Sequence, residues 1–146
     1  MRFLAWHLDY FRCRITERGR SSVVEEYDNP ETTAQDALLV LASVEKADEA
    51  RPDRVASRAA IEIAGHASSL KVDRVILHPF AHLFGELSRP SAAIEVLRAV
   101  ELDLRARGFN VTRTPFGWFN TLDIRAKGHP LSRIARIIYA ESEDRD

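Results

Sequence analysis

Two stretches of the chain gather residue types that could do chemistry. The first is His78-Pro79-Phe80-Ala81-His82-Leu83, directly after the apolar run Val75-Ile76-Leu77. Two imidazoles four residues apart would share one face of a helix and could pair on a metal. Pro79 lies between them and opposes a helix there. No HExxH, no paired CxxC and no cluster of carboxylates with histidines accompanies them, so neither a metal nor another cofactor is expected. Proline lacks a backbone donor, so a strand reaching His78 should stop and leave the backbone of Phe80 to His82 free. Buried backbone groups need partners, and a ligand is one candidate. The second stretch is Pro115-Phe116-Gly117-Trp118-Phe119-Asn120. Gly117 permits close backbone approach, and aromatic faces can stack on the bases of a single-stranded nucleotide end. On composition alone, a packed turn whose aromatics fill the core is the plainer reading.

Other reactive groups carry less. Cys13 alternates with polar neighbours and reads as a core residue. His7, His66 and His129 read as ordinary polar or packed histidines, and Lys46 alone as a solvated charge. Neither a GxSxG elbow nor a P-loop nor GxGxxG occurs. An enzyme built on this chain would activate water or use its substrate's own groups, with backbone dipoles stabilising an oxyanion.

The elements that must position these stretches follow from periodicity. Arg2 to Leu8 reads as a strand, Asp9-Tyr10 as a tight turn, and Phe11 to Thr16 as an alternating strand, giving an opening hairpin. Gly19 to Gln35 is polar and reads as a long surface loop, with a flap or a partner contact as alternatives. Ala37 to Val44 has the continuous apolar run of a central strand. A helix follows from Pro52 to about Leu70, with Val55, Ala59, Ile63, Ala67 and Leu70 on one stripe. Asp73 to Leu77 is a strand. A second helix begins at Ser88 to Pro90 and closes at Gly108. Phe109 to Thr114, Trp118 to Ala126 and Leu131 to Tyr139 read as strands, the last ambiguous with helix. The resulting fold class is α/β, a mixed sheet with two main helices packed against it in a single domain.

Composition bounds the function. At 146 residues, 45% apolar and 29% charged, the chain suits one soluble globular domain. No apolar run approaches the roughly 20 residues of a membrane span, and no signal pattern opens the chain, so no membrane partner is expected. One cysteine excludes an internal disulfide and suits a reducing cytoplasm. A net charge of −1 argues against gripping a long duplex through many phosphates and leaves room for a small contact such as a strand end.

Taken together, Ser43-Val44-Glu45-Lys46, His78 to Leu83 with Glu86-Leu87 and Pro90-Ser91, Arg107-Gly108-Phe109-Asn110-Val111, Pro115-Phe116-Gly117 and Lys127-Gly128-His129-Pro130-Leu131 resemble the N-terminal editing domain of archaeal threonyl-tRNA synthetases. That fold is shared with D-aminoacyl-tRNA deacylases. The resemblance covers nearly the whole chain and implies an editing domain over residues 1–140, with 141–146 an acidic tail or the start of a linker. It implies hydrolysis of seryl-tRNA(Thr), sparing the threonyl product. The partners it implies are the seryl 3′ end of tRNA(Thr), a second copy of the chain and a catalytic synthetase chain or domain. As catalytic positions it implies His82, Asn120 and Ala81. As substrate-binding positions it implies Val44, Glu45, Lys46, Pro79, Phe80, Phe116, Gly117, Trp118, Phe119 and Arg133. Asn120 and Arg133 stand where better-known members have a lysine and a glutamate. Asn120 still donates a hydrogen bond but carries no charge. Hydrolysis of D-aminoacyl-tRNA, and a non-catalytic module that binds the tRNA end, are the alternatives.

Overall fold

A computed structural model describes residues 1–141. The opening residues form one 17-residue strand, β1 (Arg2–Arg18), not two strands joined by a turn at Asp9-Tyr10. The sequence changes phase there without reversing direction. Leu4, Trp6 and Leu8 pack on the same cluster as Phe11 and Cys13, while Phe3 and Ala5 belong to the opposite one. Inward positions therefore pass from even to odd between Leu8 and Phe11. The pairing of β1 with residues 118–126 slips by one residue at that point. One extra residue in a strand produces this shift and bends the strand without ending it.

Strand β2 (Glu31–Ser43) returns antiparallel along β1, from Arg2 opposite Ser43 to Arg14 opposite Glu31. Glu31 to Gln35, expected in the surface loop, are thus strand, and the loop spans 19–30. Their polarity reflects this outer part of the ribbon, where Glu31 pairs with Arg12 and Arg14 near the surface. After α1 (Pro52–Ser69), strand β3 (Arg74–Pro79) lies parallel to β2. After α2 (Pro90–Ala106), β4 (Asn110–Arg113) lies parallel to β3. Strands β5 (Trp118–Ala126) and β6 (Arg133–Ile137) both pair antiparallel with β1, β5 along its second half and β6 along its first. The order β4-β3-β2-β1-β5, with β6 beside β1, makes a mixed sheet.

Both helices pack on one face of that sheet. Ala59, Ala60, Ile63 and Ala67 of α1 and Val96, Leu97, Val100 and Leu104 of α2 join Leu38, Val40, Val75 and Leu77 in the main core. The alanine content of α1 lets it lie close, because small side chains bring the helix axis near its neighbours. Each helix has proline in its first turn, where the missing donor costs nothing, and α2 stops before Gly108 at φ +95°. No helix of the described residues is long and apolar enough to cross a membrane. The acidic stretch after Glu141 lies outside the described residues.

Candidate functional site

Strands β2, β3 and β4 run parallel, and a cavity of about 560 Å³ opens at their carboxyl ends. Ligands of parallel sheets commonly sit at this end, where the connections leave the strands. Ala42, Ser43 and Val44 form its wall from β2, and His78 to His82 from β3. Phe116 to Asn120 form a third wall beyond β4, while Pro90, Ala93 and Leu97 of α2 close one side. Sequence neighbours alone do not bring these groups together. The parallel register does, with Ala42 opposite Pro79.

Pro79 is the last residue of β3, two residues beyond the end of the apolar run at Leu77. It is tolerated because β4 is already leaving: Leu77 pairs with Arg113 and accepts from the Thr114 amide, so no ladder bond is lost at Pro79. The Phe80 amide makes the final bond, to the Ala42 carbonyl at 2.9 Å. Beyond it, among the described residues, the amides of Ala81 and His82 donate to no backbone carbonyl. His82 is exposed, with its ring edge-on to Phe80 at 5.5 Å between centroids.

The turn 115–117 is held by the loop 19–30, the stretch for which a flap was one alternative. Gly19 donates to the Gly117 carbonyl at 2.8 Å and Glu25 to the Phe116 carbonyl at 3.0 Å. The Glu25 carboxylate, only 10% exposed, accepts from the Phe116 amide and pairs with Arg113, and its carbonyl accepts from the Trp118 indole at 2.7 Å. Gly117 has φ +94°, and a side chain there would meet Val24 at 2.6 Å. The loop therefore forms part of the wall and presents Gly19, Arg20 and Ser21 to the cavity.

Of the residues named from sequence, Ala81, His82, Asn120, Val44, Pro79, Phe80, Phe116, Gly117, Trp118 and Phe119 all line this one cavity. Asn120 donates to the Trp118 carbonyl at 3.3 Å, which leaves its other amide groups for a ligand. Glu45, Lys46 and Arg133 do not line it. Glu45 pairs with the Met1 amino group and with Arg2, and Lys46 with Glu86 at 3.5 Å. The backbone from Val44 to Lys46 instead fastens the segment carrying Leu87 and Ser88: the Lys46 amide donates to the Glu86 carbonyl, the Ser88 amide to the Val44 carbonyl, and Glu45 bridges to Leu87. Arg133 lies on β6, its guanidinium 5.8 Å from the Trp6 ring centroid.

Several cavity residues had no role assigned from sequence, and three of them bear on its chemistry. Ser43 is 2% exposed and its Oγ has no partner. A buried hydroxyl of that kind beside a cavity marks a place for a ligand or a water. Arg20 is the second, concealed in a polar stretch that looked like plain loop. His78 is the third: buried, with Nδ1 2.8 Å from the Thr114 hydroxyl and the Phe11 ring edge-on. Burial pushes its pKa down to about 4, so the ring is neutral at pH 7. Cys13 is buried beneath this face, and its thiol is pushed up to about 11, which keeps it protonated and inert. Among the described residues no three His, Cys, Asp or Glu side chains converge as a metal ligand set.

His78 has a consequence for stability. An unfolded chain protonates this ring near 6.5, whereas the folded chain does so only near 4. Its contribution is therefore complete above pH 6.5 and is lost as the pH falls toward 4, up to about 3 kcal/mol. Urea unfolding at pH 7 and pH 4.5 should show a smaller loss in His78→Gln than in the parent chain. Equal losses in both would remove His78 from the titration.

Similarity to known proteins bears on what the cavity serves. Residues 1–138 match the family described as the archaea-specific editing domain of threonyl-tRNA synthetase. A protein of Thermococcus kodakarensis named threonine–tRNA ligase is 40% identical over 142 residues, covering 97% of this chain and 23% of the relative. Proteins of the same name from Methanocaldococcus jannaschii and Methanopyrus kandleri are 38% and 39% identical over 146 residues, covering 100% and 99% of this chain and 23% of each relative. The chain thus spans about a quarter of the length of these curated relatives.

Proposed function

The chain belongs to the archaea-specific editing domains of threonyl-tRNA synthetase, and on that premise we propose that its cavity hydrolyses seryl-tRNA(Thr) and spares threonyl-tRNA(Thr). The observation that carries the reading is the composition of the cavity. Ten residues named from the resemblance converge there, among walls made of strand ends, turns and small side chains. Serine differs from threonine by a lost methyl, and a synthetic site gains only about 1–3 kcal/mol from such a group. A second site must then correct the error by excluding the larger substrate. Walls of backbone and of alanine at positions 42, 81 and 93 suit exclusion, because they cannot swing aside as long side chains do.

In the proposed reaction a water oxygen attacks the ester carbonyl carbon, and the oxyanion forms facing backbone donors such as the Ala81 and His82 amides. The bond to the ribose oxygen then breaks, releasing serine and the free terminal ribose. The substrate's 2′-hydroxyl assists proton transfer, His82 orients water or substrate, and Asn120 supplies a neutral donor. Among the described residues no carboxylate or lysine lines the cavity to act as nucleophile. Partners in this reading are the seryl 3′ end of tRNA(Thr), a second copy of the chain and a catalytic synthetase unit, all in the cytoplasm.

The test is a side-by-side rate on matched esters. Seryl-tRNA(Thr) should be cleaved at least about tenfold faster than the threonyl form, within the discrimination one methyl permits. Equal rates would sink the proposal. Preference for D-seryl over L-seryl ester would move it to the D-aminoacyl alternative, and tight binding of a non-hydrolysable seryl analogue with no turnover would leave a non-catalytic module.

A further inference from the structure

Among the described residues, Arg20 is the one charged side chain, imidazoles aside, that lines the cavity. Several other arginines near this site are committed, and Arg18, which pairs with Trp118 along β1, does not line the cavity. Arg113 pairs with Glu25 and Glu101, Arg98 with Glu25, and Arg12 and Arg14 with Glu31. Arg20 makes no ion pair among the described residues. Its backbone is nonetheless well placed, because the loop is fastened on both sides of it. Gly19 bonds to Gly117, Ser21 Oγ bonds to the Val23 carbonyl at 2.6 Å, and Glu25 is tied to Phe116, Arg113 and Trp118. A loop held this firmly with an unpaired guanidinium on its exposed rim is a preformed anion contact.

The neighbours of Arg20 narrow the anion. Phe116, Trp118 and Phe119 line the same cavity, so an aromatic shelf and a single cation stand together. A base stacks on the first and a phosphodiester pairs with the second, which is the composition of one nucleotide at a strand end. One cation also suits a chain of net charge −1, which has no surplus for tracking a longer strand.

We infer that Arg20 holds the 5′ phosphate of the terminal nucleotide whose ribose carries the ester, and so fixes that ribose in the cavity. This rests on the editing reading above. A guanidinium fits because its planar fork can meet two phosphate oxygens at once. The contact lies at the rim, so added salt should weaken it. It would also distinguish a nucleotide end from a free amino-acid ester, which has no phosphate to offer.

Two non-hydrolysable ligands test the assignment: 3′-seryl-amido-adenosine with and without a 5′ phosphate, titrated calorimetrically into this chain at low salt. The phosphate should tighten binding to the parent chain roughly five- to tenfold. In Arg20→Gln the ratio of the two affinities should fall to about one, and Arg20→Lys should keep part of it, as a point charge without the fork. A ratio in R20Q equal to the parent's, or a ratio of one in the parent chain, overturns the phosphate contact alone. Binding of neither ligand to the parent chain overturns the editing reading and the phosphate contact with it.

Discussion

His82→Ala should lower seryl-tRNA(Thr) cleavage by about a hundredfold or more, with unfolding stability within about 0.5 kcal/mol of the parent. The two halves of that expectation come from the same facts. His82 is exposed, it follows the last ladder bond of β3, and its ring touches Phe80 edge-on without a hydrogen bond to the protein among the described residues. Removing it opens no core and orphans no buried partner, so the fold has little to lose. The same freedom leaves both ring nitrogens available to a water or to the ester. A group that positions a proton or the attacking water contributes about 10²–10⁴ in rate. Single-turnover cleavage by H82A and H82Q, beside urea unfolding of each, separates the effects. A glutamine that restores much of the rate would assign orientation rather than proton transfer. A rate for H82A within twofold of the parent would take His82 out of the reaction.

Gly117→Val should cost about 2–4 kcal/mol of stability and abolish most of the activity that remains measurable. Gly117 holds φ +94°, a conformation that a β-branched residue enters only under strain, and the added carbon would meet Val24 at 2.6 Å. Val24 cannot simply retreat. Its neighbour Glu25 is tied to Arg113, to the Phe116 amide and to the Trp118 indole. The strain should therefore move the turn, and with it Phe116, Trp118, Phe119 and Asn120 together. Displacements near 1 Å at a reacting site are enough to cost about a hundredfold in rate. Gly128→Ala is the control, since a carbon added there meets nothing within 4 Å. Denaturant midpoints and seryl ester cleavage for both variants decide the matter. A folded G117V with full activity would show that the turn does not position the site.

Much of this molecule was legible in local residue patterns. The helical stripes of α1 and α2, the proline starts, the strand leading to His78 and the Gly117 turn all depend on short-range spacing. Spacing of that kind reflects which face of an element meets the core, so one sequence displays it. The two misread stretches have the same origin. At Asp9-Tyr10 a turn and an inserted residue both break a period of two, and only the constant antiparallel register from Arg2 opposite Ser43 to Arg14 opposite Glu31 tells them apart. At Glu31 to Gln35 the outer ribbon carries polar residues because it faces solvent, which looks locally like loop.

The site itself divides the same way. The sequence alone marked the residues of two separate stretches, His78 to His82 and Phe116 to Asn120, because proline, glycine and aromatics have meaning where they stand. Only the tertiary structure decided that these stretches share one cavity with Val44 while Glu45, Lys46 and Arg133 stand outside it. It also brought in Ser43 and Arg20, from a strand end and a polar loop, and showed His78 buried against Thr114. The physical reason is that strand order and parallel register set which chain ends meet, and those contacts join residues far apart in sequence. Local periodicity records which way a side chain faces, but not what it faces.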